Sequence, residues 1–208
     1  YFLKLAKKVN KDLDYIGYDY CQGNVMAKNP KYCTQLDAWK NLFTSWIVNS
    51  DPQSLIDASI FFDFRMVYGE HILVKELRNH IYQLFDHHHA FFYHFALSII
   101  NFKAPTSITE FNVKDVLLPF TGFAKIYSLQ NKLAETNSLL RIDSLKSLEV
   151  INKSLYDELV FSYNFLMLLR FRSQVKSILK HEHAGNIIHG ANLTDIEQAT
   201  LKKIFNNP

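Results

Sequence analysis

Apolar residues recur at intervals of three and four positions through most of this chain. Between residues 70 and 102 they form two successive stripes, namely Ile72, Leu73, Leu77, Ile81 and Leu84, then Phe91, Phe92, Phe95 and Ile99. That period places apolar side chains on one face of an α-helix. Glycine and proline, at 6 and 5 of 208 residues, are too scarce for the many turns of a β fold. The sequence therefore predicts a mainly α protein, a bundle of helices joined by short loops.

Cap and proline signals set the ends of the predicted helices in the first third of the chain. A first helix is predicted from about residue 2 to 15, stopping near Gly17. Thr34 is the predicted N-cap of a second helix. Asp51-Pro52 opens a third, with proline at its first position, which is predicted to continue to Phe64. Residues 18–26, between the first two helices, are predicted to be an extended strand or a loop.

The remaining chain is predicted to hold longer helices separated by loops at 103–109 and 185–190. The 70–102 region is one helical stretch with a break around Asp86 as an open alternative. Helices are then predicted over Val113–Leu133, started or interrupted around Pro119, and over 139–148 and 154–180. Thr194, with Glu197 three residues later, has the spelling of a capping box and predicts a final helix.

Composition and charge exclude several classes of protein. The apolar share of 48% and charged share of 21% are those of a chain with a buried core. A net charge of +3, with Lys and Arg scattered, does not indicate a nucleic-acid surface. No segment approaches the ~18–20 apolar residues of a membrane span, and no signal peptide is recognisable. Cys21 and Cys33 are predicted to be reduced thiols, so a cytoplasmic location without a membrane partner is expected.

Two stretches of the first half carry ordered motifs. The run Cys21-Gln22-Gly23-Asn24-Val25-Met26-Ala27 is followed by Asn29-Pro30, Cys33, Trp39 and Trp46. It resembles the end of a nucleotidyltransferase domain found in bacterial signalling proteins. Residues 59–65 (Ser-Ile-Phe-Phe-Asp-Phe-Arg), with 67–70 and Leu73, are similar to the start of that family's substrate-binding domain.

The resemblance continues to the end of the chain. It is carried by Val113-Lys114 with Leu118-Pro119, by Ser138-Leu139-Leu140-Arg141 with Leu145, by residues 169–174 (Leu-Arg-Phe-Arg-Ser-Gln), and by Asn186, Leu193 and Ile204. It implies a helical substrate-binding domain over residues 55–208. Residues 1–54 would be the C-terminal remnant of a nucleotidyltransferase-like α/β core, a helix plus a strand. A chain that starts at Tyr1, without Met and inside a helical pattern, is expected to be part of a longer polypeptide.

The resemblance also implies a setting for the whole protein. Members of this family often carry cyclic-nucleotide-binding and CBS regulatory domains upstream, and their core is similar to that of protein-PII uridylyltransferases. Such cores use a Gly-Ser turn and a spaced pair of Asp residues to hold a nucleoside triphosphate and Mg²⁺. The expected partners are therefore the upstream core and regulatory domains of the same polypeptide and a protein acceptor.

This chain departs from the catalytic pattern. It has no Gly-Ser dipeptide, and its Asp-x-Asp, Asp12-Leu13-Asp14, lies on a predicted helix where positions i and i+2 point in different directions. The chain is therefore predicted to be non-catalytic by itself and to hold no cofactor. Mg²⁺ and a nucleoside triphosphate belong to the full-length protein. The alternatives left open are an enzyme fragment and a non-enzymatic protein-interaction bundle of a decayed transferase.

Charged residues inside apolar runs are the candidate substrate-binding positions. Asp63 and Arg65 lie among Ile60, Phe61, Phe62 and Phe64, where an unpaired charge would be costly. They are predicted either to line the substrate cleft or to form a structural ion pair between helices. Arg170 and Gln174, beside Arg172, share one helix face and either recognise an acidic or phosphate group or pair helices. Lys114 and Arg141 carry the same two alternatives.

Histidines cluster at His80, His87, His88, His89 and His94. Their spacing allows a zinc hypothesis, but solvated or aromatic-packed histidines are the favoured interpretation. Arg65 and His71 have the spelling of a ribonuclease motif that is short enough to arise by chance. No metal site is therefore predicted.

Overall fold

A computed structural model describes residues 1–100, 105 and 107–206 of this chain. Within these ranges the fold is mainly α. The helices are α1 (Phe2–Tyr15), α2 (Leu36–Asn49), α3 (Pro52–Phe61), α4 (His71–His87), α5 (Ala90–Ile100), α6 (Val113–Gln130), α7 (Ser138–Ser147), α8 (Lys153–Leu179) and α9 (Asp195–Asn206). Two strands, β1 (Glu110–Asn112) and β2 (Ile187–His189), and a 3₁₀ turn (Gly190–Asn192) complete the described elements.

The chain divides into two compact units that do not follow the sequence order. One unit holds Tyr1–Ala58 and Met66–His88, and the other holds Ser59–Arg65 and His89–Pro208. The short piece Ser59–Arg65 thus belongs with the C-terminal helices although α4 separates it from them in the sequence. The predicted boundary between residues 54 and 55 stays a prediction.

In the first unit, α2 packs against α4. Phe43, Trp46 and Ile47 of α2 are buried, and the rings of Phe43 and Trp46 meet edge to face with centroids 5.1 Å apart. Two polar contacts join the same helices. Thr44 Oγ1 lies 2.9 Å from His80 Nε2, and Lys40 Nζ lies 3.4 Å from a Glu76 carboxylate oxygen.

The second unit has two apolar clusters along α6 and α8. One gathers the start of α6, the middle of α8 and α9, with Leu166 and Leu201 fully buried. The other joins α6 to α7 through Ala124, Ile142 and Leu145. Both are built from residues three or four apart on their helices, the spacing that aligns side chains on one face.

Asparagine caps begin three helices of the second unit. Asn112 accepts a hydrogen bond from Lys114 N (3.1 Å), Asn137 from Leu139 N (3.0 Å) and Asn152 from Leu155 N (2.9 Å). Each cap satisfies an amide that the first helical turn leaves without an intrahelical partner. These helices consequently start at defined residues.

The strands β1 and β2 pair antiparallel, with Phe111 opposite Ile188. Both of these residues are buried in the cluster shared with α8 and α9, so the small sheet covers that core. The amide of Gly190 continues the pairing by donating to Thr109 O at 2.8 Å.

The structure confirms most predicted helices. α1 ends at Tyr15 and the chain then turns at Gly17 with a φ of 100°, a conformation that glycine adopts at little cost. Pro52 is the first residue of α3, and Thr194 and Glu197 form the reciprocal capping box, with bonds of 2.8 and 3.3 Å. The break in the 70–102 helix falls at His88 and His89, and residues 101–104 lie outside the described residues.

Several predictions at the ends of elements were wrong. The N-cap of α2 is Gln35, not Thr34, and no side chain caps it; α3 stops at Phe61, short of Phe64. Of the two alternatives for residues 18–26 the loop is the one formed, so the strand expected in the N-terminal remnant is absent from these residues. Part of the loop predicted at 185–190 is strand β2. Pro119 does not interrupt α6, which begins six residues earlier.

Among the described residues no helix is both long and apolar enough to cross a membrane.

Candidate functional site

Asp63 and Arg141 meet in one ion-pair network of the second unit. Arg141 Nη2 lies 2.5 Å from Asp63 Oδ1, and Lys125 Nζ lies 2.6 Å from Asp63 Oδ2. The Arg141 side chain is 3% exposed and that of Lys125 15%, whereas Asp63 is 36% exposed. The Asp63 carboxylate is therefore the most solvent-exposed group of the network, and the two cationic side chains are more buried.

Backbone carbonyls complete the network. Arg141 Nε donates to Glu135 O at 2.8 Å, and Lys125 Nζ donates to Ser59 O at 2.9 Å. Buried charges need this kind of full hydrogen bonding because an unpaired one is strongly destabilising. The network therefore attaches the Ser59–Arg65 segment to α6 and α7.

Phe62 explains why Asp63 reaches this position. Its ring is 2% exposed and packs against both Phe91 and Phe95 of α5, with centroid distances of 5.7 and 6.2 Å. Insertion of this ring among other aromatic rings fixes the backbone of the segment. The adjacent carboxylate is then held toward Arg141 and Lys125.

Arg170 and Gln174 form a second polar group on α8. Arg170 Nε donates to Asn186 Oδ1 at 2.8 Å, and Gln174 Nε2 donates to the same oxygen at 3.4 Å. The backbone oxygen of Asn186 accepts from Val113 N at 2.9 Å. Asn186 therefore links the middle of α8 to the first turn of α6.

Lys114 follows Val113 in that first turn of α6, so it is next in the chain to the residue whose amide binds Asn186. Its side chain is exposed, and so is that of Arg65. No hydrogen bond or ion pair between described residues involves either side chain. The six predicted residues thus separate into the Asp63–Arg141 network, the Arg170–Gln174–Asn186 group with Lys114 nearby, and Arg65 apart from both.

Four cavities of the second unit are lined by other residues than these six. The largest, of about 570 Å³, is apolar and lies between α5 and α6, against Phe92, Ile99, Phe123 and Ile126. A second apolar cavity of about 360 Å³ lies between α6 and α8. Neither has the convergent charged groups that usually orient a polar substrate.

Two polar cavities adjoin each other beside the C-terminal half of α8. They measure about 410 and 300 Å³ and share Ser173, Lys176, His189 and Asn192. Lys180 and Ser177 also line the larger one. The sequence has serines at 173 and 177 and lysines at 176 and 180, and the members of each pair are four apart on one helix face. We did not predict a site from this pattern.

Glu197 and Arg172 connect α9 to α8 next to this groove. Arg172 Nη1 lies 2.6 Å from Glu197 Oε1, while Glu197 Oε2 accepts from Thr194 N. The hydrogen bond from Arg172, followed by the one from the Thr194 amide, lowers the pKa of the Glu197 carboxyl below its ordinary value of 4.5. Glu197 therefore acts as both a helix cap and an ion-pair partner.

The histidine cluster does not form a metal site within the described chain. No group of three or more His, Cys, Asp or Glu side chains is placed to hold a metal ion among the described residues. His80 instead shares a hydrogen bond with Thr44 in the first unit. Asp12 and Asp14 lie two positions apart on α1, so they do not converge either.

Comparison with protein families gives two matches. Residues 90–207 match the model described as "Putative nucleotidyltransferase substrate binding domain", and residues 1–53 match that of the "Putative nucleotidyltransferase" family. A comparison with curated proteins and one with solved structures return no match. The fold and the matches together define a helical module of the nucleotidyltransferase class. The chain belongs to the family of nucleotidyltransferase substrate-binding domains.

Proposed function

We propose that this chain is the helical substrate-binding and regulatory part of a signal-transduction nucleotidyltransferase and is not catalytic by itself. The observation that carries the proposal is the match of residues 90–207 to the substrate-binding family. The described part of the chain has neither a Gly-Ser turn nor a convergent pair of Asp residues. Nucleotidyl transfer needs such groups to hold the triphosphate and its divalent cations. In this proposal Mg²⁺ and the nucleotide bind to a core elsewhere in the same polypeptide.

The six candidate residues have two roles in this proposal. An acidic or phosphate group of the acceptor is contacted by Arg170, Gln174 and Lys114. Arg170 uses only its Nε to bind Asn186, so its other N–H groups can bind the acceptor, and Lys114 is exposed. Asp63 and Arg141 hold the Ser59–Arg65 segment in place, and Arg65 at the end of that segment extends toward the acceptor. The acceptor is proposed to be a protein, and cyclic-nucleotide-binding and CBS domains are proposed to regulate the process in the cytoplasm of a bacterium.

A titration of this chain with ATP and Mg²⁺ tests the non-catalytic part of the proposal. Calorimetry is expected to show no saturable binding up to millimolar nucleotide. Tight binding that requires Mg²⁺ would overturn the assignment, because it would mean that these residues hold the triphosphate themselves.

Labelling by the full-length protein tests the binding residues. With radiolabelled nucleoside triphosphate and Mg²⁺, Arg170→Ala and Lys114→Ala are each expected to lower labelling of the acceptor about tenfold, the loss typical of one charged contact. Lys202→Ala, which removes an exposed lysine of α9, is the matched control and should leave labelling unchanged. Equal labelling by all three variants would contradict the proposed roles.

A non-enzymatic interaction bundle is the second candidate function. It is favoured by the Asp63–Arg141–Lys125 network, in which both cations already pair with the one carboxylate within the chain. The sequence of the core that this proposal places elsewhere in the polypeptide distinguishes the two candidates. A core with an intact Gly-Ser turn and Asp pair supports the transferase, and a core with those acids replaced supports the interaction bundle.

A further inference from the structure

Helix α8 presents a long apolar face to solvent. Six of its large apolar side chains are 54% to 77% exposed, namely Phe161, Leu168, Phe171, Val175, Ile178 and Leu179. They cover five turns of the helix on one side. Surfaces of this extent are unusual on a free protein and mark interaction sites.

The opposite face of α8 is already buried in the second unit. Leu159, Leu166 and Leu169 on that face belong to the two apolar clusters with α6, α7 and α9. A helix with apolar residues on two opposite faces is expected to be covered on both. Within the described chain only one of these two faces of α8 is covered.

The exposed residues follow the spacing of a helix-to-helix seam. Phe161, Leu168 and Val175 are seven apart, and so are Phe171 and Ile178. A seven-residue repeat of apolar positions keeps a seam aligned with a partner helix. Asn164 takes the position equivalent to Phe171 one repeat earlier, and a single polar residue of this kind fixes register.

Charges beside the seam favour another copy of α8, in the antiparallel direction, as the partner helix. Glu158 and Lys176 are both exposed and take part in no ion pair among the described residues. They are eighteen positions apart, which is five turns, so they lie on the same side of the seam. An antiparallel pair centred near Leu168 brings Glu158 of each copy beside Lys176 of the other. In a parallel pair the same flanks of the two copies would lie on opposite sides of the seam, so these charges would not meet.

The area available suits a modest dimer. Each of the six side chains offers roughly 100 Å² of exposed surface, so the seam supplies about 600 Å² per copy, close to the ~800 Å² per partner of a standard interface. Because each copy presents the same patch, one two-fold axis closes the assembly at two chains.

We propose that this chain forms a two-fold symmetric dimer through antiparallel packing of α8 against α8 of a second copy. The apolar seam supplies the stability and the Glu158–Lys176 contacts set the direction. The inference does not depend on what substrate the module binds.

Sedimentation equilibrium of the 208-residue chain tests the dimer. At about 100 µM, above the micromolar dissociation constants of small interfaces, the mass is expected to be twice 24.3 kDa. Leu168→Glu combined with Val175→Glu is expected to give the monomer mass with an unchanged far-ultraviolet circular dichroism spectrum. Leu140→Glu, at an apolar residue of α7 that is 55% exposed, is the matched control and should stay dimeric.

Charge reversal tests the direction of packing. Glu158→Lys and Lys176→Glu are each expected to weaken dimerisation about tenfold, because each places two like-charge contacts across the two-fold axis. The double variant restores opposite charges and is expected to regain the original dissociation constant, which a folding defect could not do. A monomeric wild-type chain, a dimer insensitive to the seam substitutions, or a double variant weaker than both single ones would overturn the proposal.

Discussion

At the scale of single residues, Arg141 has the most demanding environment of the six candidate positions. Its guanidinium is almost fully buried and depends on Asp63 and the Glu135 carbonyl for compensation. A buried cation deprived of its anion costs several kcal/mol, less where the anion is partly solvated, as Asp63 is. The network therefore contributes to stability whatever its part in binding.

Asp63→Asn is expected to lower the free energy of unfolding by about 2 kcal/mol, because Arg141 and Lys125 keep their charges without an anion between them. Urea denaturation followed by circular dichroism measures the change. The matched control is Asp157→Asn, whose pair with Lys153 is exposed and worth under about 0.5 kcal/mol. Equal effects of the two substitutions would contradict a structural role for Asp63.

Glu197 gives the stability a defined pH dependence. Because its pKa is lowered in the folded chain, its contribution is fully present above about pH 4.5 and is lost as the pH falls through the folded pKa. Glu197→Gln is expected to cost about 1 kcal/mol at pH 7, the usual value of a cap contact, and to cost less at pH 3 because part of the contribution is lost below pH 4.5. Thermal unfolding at both pH values measures this, and a pH-independent difference would contradict it.

At this scale the sequence shows which charges need partners but not which residues those partners are. A charge in the apolar run around Asp63 predicts pairing, and Arg141 was itself a candidate, yet nothing in the spacing joins positions 63 and 141. Lys125 was missed because a lysine in an otherwise apolar helix usually extends to solvent. Tertiary packing, here the insertion of the Phe62 ring, decides which charged residues pair. This packing cannot be predicted from the local sequence around Asp63.

At the scale of elements, the helices were predictable because they are long and periodic. α8 extends within one residue of its predicted ends at both termini. Strands of three residues such as β2 are too short to show a period of two, and Ile187-Ile188-His189 therefore had no strand signal. In α4 the buried set ends on Phe85 rather than Leu84, a shift of one position that is decided by tertiary packing and not by the local pattern.

A substitution at Gly190 tests how closely the chain packs directly after β2. A Cβ added there would lie 2.2 Å from the backbone oxygen of Ile108, which cannot move without breaking the β pairing. Gly190→Ala is expected to lower the free energy of unfolding by about 3 kcal/mol. Gly185→Ala, where nothing lies within 4 Å of the added Cβ, is the matched control and should be nearly neutral. A small loss at position 190, measured by urea denaturation, would show that the strand can shift.

At the scale of the whole molecule, the second unit is assembled from discontinuous chain. The family match begins at residue 90, but the core of this unit includes Phe62, and its ion-pair network includes Asp63. The order of the motifs along the chain predicts membership of the family. It does not predict how the two units divide the chain, because that division depends on which helices Ser59–Arg65 contacts.

Shortened chains test this division. Residues 89–208 are expected to be at least about 3 kcal/mol less stable than residues 59–208, because the shorter chain lacks the Phe62 ring and the anion for Arg141 and Lys125. Urea midpoints and slopes of the two chains measure the difference. Matching midpoints would show that the segment is dispensable for this unit.

The pairing of Phe111 with Ile188 has a kinetic consequence. It joins positions nearly eighty residues apart, and α6, α7 and α8 lie in the loop that it closes. Contacts this distant form slowly because chain entropy is lost before they are gained. We expect the three helices to acquire hydrogen-exchange protection before the amides of the two strands, so the β1–β2 pairing would become native after the helices that lie between its strands.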